Sequence, residues 1–326
     1  MTLTLALSLT ASAPPVVNPI APSSADPWVV CWQGRYYYTC TTARNIRLWT
    51  STHLAQLGHG ESRVVYTPPE GTAWSRNLWA PELHRVGQRW YIYFCADDGH
   101  DANHRMYVLG SDGDDPLGPY KLLGKVATPD DHWAIDGTLF TWRDQLYMCW
   151  SGWDDPPRHG QRLYVAKMAS PTELVGPRVE ISEPSLEWEK RGHQVNEGPQ
   201  VLVANGRLHI FYSANPYWLP EYSLGRLTLT GDDPLRADAW QKAPWPAFWR
   251  AGGVDGVGHG CFFNSPDGSQ TWLAYHAHHG ERRGNWVPRD FRAQPIGFDA
   301  GGMPVLGEPV PTGQALAAPS GEQAEE

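Results

Sequence analysis

The feature that most constrains this 326-residue chain is an internal repeat. Five stretches recur along it, each a pair of apolar strands around a turn followed by a third strand. They open at Ala25-Asp26-Pro27, Trp79-Ala80-Pro81, Ile135-Asp136-Gly137, Asn196-Glu197-Gly198 and Gly258-His259-Gly260. Lining up Asp26, Ala80, Asp136, Glu197 and His259 gives intervals of 54, 56, 61 and 62 residues. A repeat of that length has room for a fourth strand, and four antiparallel strands arranged radially make a propeller blade. A β-solenoid needs a much shorter period, and a sandwich does not repeat. The expectation is therefore all-β: a five-bladed β-propeller of four-stranded antiparallel blades around a central channel, spanning residues 1–312 as one domain. Residues 313–326, rich in Ala, Gly and Glu, read as a disordered tail. The 33 Gly and 29 Pro fit many short strands and turns, and Asn205-Gly206 and Asp267-Gly268 are hairpin signals.

Closing the ring brings the start of every first strand to one mouth of the channel. Asp26, Asp136, Glu197 and His259 then meet there from positions more than two hundred residues apart. Each alone has an ordinary explanation as a turn or strand-start residue. Together they form a cluster in which like charges raise the pKa of at least one carboxyl. Two carboxyls in different protonation states are the machinery of glycoside hydrolysis: one protonates the leaving oxygen, the other activates water or attacks. The 17 Trp and 14 Tyr against 8 Phe suit amphipathic sugar ligands. Trp28, Trp74, Trp79, Trp153, Tyr217 and Trp218 lie beside the first strands, with blade packing as the ordinary explanation for any one of them.

Composition removes other classes. With 26 Lys+Arg against 35 Asp+Glu the net charge is −9, which leaves no basic footprint for nucleic acid. No apolar run approaches the roughly 20 residues of a membrane helix. The five Cys are scattered without CxxC spacing, as suits small buried hydrophobes rather than a disulfide framework or a zinc knuckle. At the N-terminus, Leu3, Leu5, Leu7 and Leu9 alternate with polar or small residues, a strand pattern. A leader ending in Ala-Ser-Ala but lacking a basic start is the second reading. On that balance a cytoplasmic location stands ahead of a secreted one.

The ordered set of motifs, Ser24-Ala-Asp26-Pro, Trp79-Ala-Pro-Glu, Ile135-Asp136-Gly, Asn196-Glu197-Gly-Pro, Gly258-His259-Gly and Arg292, resembles glycoside hydrolase family 43 over roughly residues 18–310. The family comprises five-bladed propellers that include α-L-arabinofuranosidases, β-xylosidases and arabinanases. The resemblance implies that Asp26 is the general base, Glu197 the general acid and Asp136 an auxiliary carboxylate that keeps Glu197 protonated and oriented. It implies inversion, with base and acid about 6.5–9.5 Å apart. It places His259 facing a central ion, commonly calcium, with a structural or electrostatic role; the chemistry itself requires no cofactor. Trp79, Trp153, Tyr217 and Arg292 are the expected substrate-binding residues.

An exo-acting, non-reducing-end α-L-arabinofuranosidase working as a monomer on plant-type arabinan or arabinoxylan oligosaccharides is the leading reading. The loops Asp97–Arg105, Trp153–Gly160 and Ala214–Tyr222 favour exo action by blocking one end of a cleft. The alternatives are a β-xylosidase, an endo-arabinanase or a galactofuranosidase of the same family, or a non-catalytic carbohydrate-binding propeller. A further alternative is a metal-dependent hydrolase built on His276, His278 and His279 with His100 and His104 nearby, unless one of these histidines lines the sugar pocket instead.

Overall fold

A computed structural model describes residues 12–153 and 160–324. The alternating segment from Thr2 to Thr10 lies outside the described residues. Four sheets of four antiparallel strands follow one another in strict chain order, opening with Trp28–Trp32, Arg76–Val86, Ala134–Trp142 and Asn196–Ala204. A fifth sheet, opening with Gly258–Asn264, has three strands. These are blades 1 to 5 of the expected propeller.

Blade position explains the sequence of each strand. An inner strand is covered on both faces, so its residues are apolar nearly without interruption: Arg89–Asp97 is buried from Trp90 onward. An outer strand is wet on one face and alternates, as Tyr120–Val126 does. Two-residue hairpins with both central residues at positive φ, Gln33-Gly34, Arg143-Asp144 and Asn205-Gly206, join first to second strands. Apolar clusters fill the space between neighbouring blades. Tyr36, Phe263 and Phe291 join blade 1 to blade 5, and Trp90, Leu48 and Leu78 join blade 1 to blade 2. Comparable clusters join blades 2 and 3, 3 and 4, and 4 and 5.

The N-terminal segment closes the ring. The Ile20 N–H donates to the Phe291 carbonyl at 2.8 Å, and the Phe291 N–H donates back to Ala21 at 2.9 Å. The Asn18 side chain makes two 2.9 Å bonds with the backbone of Ala293. Residues 18–21 thus stand as the missing outer strand of blade 5, tying the start of the chain to its last blade.

The expected disordered tail is instead a strap. Ala315–Leu316 pairs with Val16–Val17, Ser320 bonds Asp267 and Gln270, and Glu322 accepts the Leu54 N–H at 3.0 Å. Low hydrophobicity misled the sequence reading because the strap is held mainly by hydrogen bonds. All five cysteines are free thiols, and all but Cys31 are buried.

Candidate active site

The mouth is built from one backbone device used repeatedly. In blades 2 to 5, two residues of the first strand oppose one of the second: Ala80-Pro81, Asp136-Gly137, Gly198-Pro199 and His259-Gly260. The leading residue of each bulge has a left-handed backbone, with φ of 43° at Ala80, 57° at Asp136, 52° at Gly198 and 41° at His259. Asp26, two residues before its strand, has φ 57°. A bulge bends the strand and re-aims side chains that strict alternation would send elsewhere. For a non-glycine residue the conformation costs about 1–3 kcal/mol, which the surrounding sheet must offset. In blade 4 the left-handed position is Gly198, so Glu197 stands one residue ahead of its expected counterpart. Its side chain nonetheless shares the site with the other two acids.

Asp26 is the ionised member. Arg289 Nη1 lies 2.9 Å from its Oδ1, and Thr41 Oγ1 donates to Oδ2 at 2.6 Å. His259 Nδ1 and His276 Nδ1 stand 3.4 and 3.3 Å from Oδ1. Burial alone pushes the Asp26 carboxyl up, but Arg289 together with the two histidines outweighs it and holds Asp26 well below the usual carboxylate range. The Asp26 backbone N–H donates to His276 Nδ1 at 3.2 Å. Burial depresses both His259 and His276, the latter to about 3.

Glu197 is the protonated member. Burial and the Asp26 charge push its carboxyl up to about 7, against the opposing pull of Tyr222 and Arg289. The Tyr222 hydroxyl donates to Glu197 Oε1 at 2.8 Å, which leaves Oε2 to carry a proton. Tyr222 is held in turn by stacking on His276, with ring centroids 5.4 Å apart and planes at 5°. Asp136 Oδ2 accepts the Gly198 N–H at 3.0 Å, so it anchors the peptide next to Glu197. Burial, then the Glu197 and Asp26 charges, push Asp136 up as well. Asp136 and Glu197 therefore titrate as a pair that keeps a proton, beside an Asp26 that does not.

Below the three acids, Glu82 lies in the channel. Its Oε1 accepts Gln200 Nε2 at 2.8 Å and its Oε2 meets His84 Nε2 at 2.8 Å. Burial, with the Asp136 charge, pushes Glu82 well above the usual range.

The expected sugar-binding residues divide. Tyr217 lies at the site: the Arg289 guanidinium covers its ring at 4.0 Å, and its hydroxyl donates to the Asn285 carbonyl at 3.1 Å. Trp79 stacks on His104 at 4.1 Å and Trp153 on Trp133 at 4.2 Å. Both tryptophans are half-buried in a cluster that includes Ile135, next to Asp136. Arg292 is elsewhere. It is buried, bonded to the Val310 carbonyl and the Thr312 hydroxyl. The arginine of the site is Arg289, three residues earlier in the same strand, so the side chains leave on opposite faces. Trp28 and Trp74 are packing residues whose indole N–H groups bond Leu83 and Tyr66.

The metal readings fare differently from the acids. Calcium takes about six to eight oxygen ligands, whereas His259 presents an imidazole nitrogen to Asp26 and packs its ring on Gly198. That donor set does not make a calcium cage, and no step below passes through an ion. Among the described residues the group of donors close enough to hold a metal is Asp97, Asp101 and His104. The histidines of the metal-hydrolase alternative do not converge. His276 serves Asp26, His278 Nε2 meets the Tyr217 carbonyl at 2.7 Å, His279 pairs with Asp290 and His100 with Asp98.

Four site residues escaped the sequence reading: Arg289, Thr41, Tyr222 and Glu82. Glu82 stood in the quoted Trp79-Ala-Pro-Glu motif, and His276 stood among the candidate ligands. Arg289 opens the third strand of blade 5 and Tyr222 immediately precedes that of blade 4, positions that the alignment on first strands did not weigh.

The model of glycosyl hydrolases family 43 matches residues 16–304. An extracellular exo-alpha-(1->5)-L-arabinofuranosidase of Streptomyces chartreusis is 34% identical over 81% of this chain and 82% of its own. A protein of the same name from Streptomyces avermitilis is 34% identical over 93% of this chain, which spans 66% of that longer relative. The solved α-L-arabinofuranosidase of Lactobacillus brevis superposes with a TM-score of 0.86 at 32% identity, covering 92% of this chain and 98% of that one.

Proposed function

The chain belongs to glycosyl hydrolases family 43, and from that premise we propose that it is an inverting, exo-acting α-L-arabinofuranosidase with Asp26 as base and Glu197 as acid. The observation that carries the roles is the split between two buried carboxyls. Arg289 and Thr41 keep Asp26 ionised, while burial pushes Glu197 to about 7. A base must start without a proton and an acid must start with one.

In this reading Asp26 draws a proton from water on one side of the furanose ring, and Glu197 Oε2 gives its proton to the departing oxygen on the other. Arg289 holds the base ionised and oriented. Tyr222 fixes which Glu197 oxygen faces the substrate. Asp136 positions the acid through the Gly198 peptide. Trp79, Trp153 and Tyr217 flank the sugar, and Tyr217, tied to Asn285, contributes to the wall that favours release of one terminal residue at a time. No cofactor is needed for glycoside hydrolysis of this kind.

Two relatives are named extracellular, which weighs against the cytoplasmic expectation and supports export of this chain. Among the described residues no helix is long and apolar enough to cross a membrane. The protein is taken to act as a monomer on arabino-oligosaccharides.

The test is hydrolysis of nitrophenyl arabinofuranoside, xyloside and galactofuranoside beside linear arabinan, with products resolved by length. Arabinofuranoside cleavage and arabinose as the sole early product from arabinan are expected. Asp26→Asn should lose about 10²–10⁴-fold in kcat, the worth of a positioned proton-transfer group. Glu197→Gln should lose much less on an activated aryl leaving group than on arabinan. A carbohydrate-binding propeller would bind without turnover, and an equal loss on both substrates would remove Glu197 from the acid role.

A further inference from the structure

The far face of the propeller carries a second cavity unrelated to the carboxylate cluster. The first strand of blade 3 passes from Asp136 at the mouth to Trp142, six residues or about 20 Å away. The turns Arg143-Asp144 and Asn205-Gly206 therefore stand on the opposite face. Between them and the outer strands of blade 4 lies a cavity of about 520 Å³, whose lining includes Trp142, Arg143, Arg207, Arg226 and Lys242.

In a chain of net charge −9, four cations with Asp232 as the lining carboxylate are a local reversal of sign. Two of the cations are already neutralised. Arg143 pairs with Asp232, and Lys242 pairs with Glu189 at 2.9 Å. Among the described residues, the other two have no carboxylate partner in hydrogen-bonding contact. Arg207 Nη1 meets the sulfur of Met303 at 2.9 Å. Arg226 Nη1 donates to the Pro304 carbonyl at 3.3 Å, and its Nε is buried without a partner. Asp299 acts on Arg226 through space, but its Oδ1 is taken by the backbone N–H groups of Gly301 and Met303. Holding a guanidinium partly out of water without a full set of acceptors is costly, and a planar anion would supply the acceptors in the fork geometry arginine favours.

Trp142 decides what kind of anion. Its indole N–H is fixed on the Asp232 carbonyl at 2.9 Å, and the residue forms part of the cavity wall. An aromatic face suits the C–H face of a sugar ring, which inorganic phosphate lacks. We propose that this cavity is a secondary binding site for a hexuronate unit of an acidic oligosaccharide, with the carboxylate held by Arg207 and Arg226 and the ring laid on Trp142.

The site is independent of hydrolysis, so its test reads binding whether or not the chain turns over arabinofuranosides. Trigalacturonate, a neutral galactose trisaccharide and inorganic phosphate are titrated calorimetrically into the full chain. Expected are one site for trigalacturonate, no heat from the neutral sugar, and no displacement by equimolar phosphate. Asp26→Asn should leave the affinity unchanged. Arg207→Ala, at the exposed first residue of a strand, should weaken binding at least tenfold with aryl-arabinofuranoside turnover intact, and Trp142→Ala should weaken it independently. The proposal is overturned if trigalacturonate does not bind, if Arg207→Ala binds as well as the parent, or if phosphate displaces it as an equal competitor.

Discussion

Tyr222→Phe isolates the device that sets the acid. The hydroxyl donates to Glu197 Oε1 at 2.8 Å and pulls that carboxyl down against the push of burial. A hydrogen bond to a charged acceptor is worth about 1.5–3 kcal/mol and to a neutral one about 0.5–1.5 kcal/mol. Removing the hydroxyl therefore costs the ionised form about 1 kcal/mol more than the protonated form, or about 0.7 pH unit. An acid catalyst works while protonated, so activity is present below its pKa and is lost as pH rises through it. The parent should lose kcat/KM on its alkaline side near pH 7, the position to which Glu197 is pushed. The variant should lose it about 0.7 unit higher, with a lower plateau because Oε2 is less firmly aimed. The assay is the pH profile of kcat/KM on an aryl arabinofuranoside. An alkaline limb that stays put or moves to lower pH would refute the assignment of that limb to Glu197 under Tyr222.

Two further perturbations probe the frame. Glu82 is held protonated in the channel, so the folded state binds a proton that the unfolded chain releases above about pH 4.3. Its raised pKa therefore costs stability progressively as pH climbs, and neutral Glu82→Gln, which keeps the bonds to Gln200 and His84, should melt higher than the parent at about pH 8 but not at about pH 4. An equal difference at both values would mean that Glu82 is ionised in the folded protein. Truncation after Thr312 removes the strand paired with Val16–Val17 and the Glu322 bond to Leu54; at about 2–4 °C per kcal/mol, a Tm lower by several degrees with kcat retained is expected, and an unchanged Tm would show the strap to be idle.

The blade repeat was legible because each first strand is introduced by a left-handed residue followed by Gly or Pro, set in a bulge in blades 2 to 5. Asp26, Asp136 and His259 fall on that device, so aligning them brought out the site. Glu197 shows where the alignment slipped, since Gly198 occupies the bulge in blade 4 and the acid sits one residue earlier. Arg289 was missed and Arg292 chosen because a three-residue step within a strand reverses the face, and nothing local in the sequence tells which arginine points to the mouth. Tyr222 and Thr41 act through single hydroxyls that leave no pattern. The strap at 313–324 looked disordered because composition reports hydrophobic burial but not hydrogen bonds to distant residues such as Asp267 and Leu54.

The central claim, an ionised Asp26 opposite a protonated Glu197 with water between substrate and base, fixes the stereochemistry of the first product. Proton NMR of an aryl α-L-arabinofuranoside digest, read in the first moments before mutarotation, tests it directly. The account predicts that β-L-arabinofuranose appears first and the α-anomer grows in afterward. Initial release of the α-anomer would require a covalent intermediate and would contradict the roles assigned to Asp26 and Glu197.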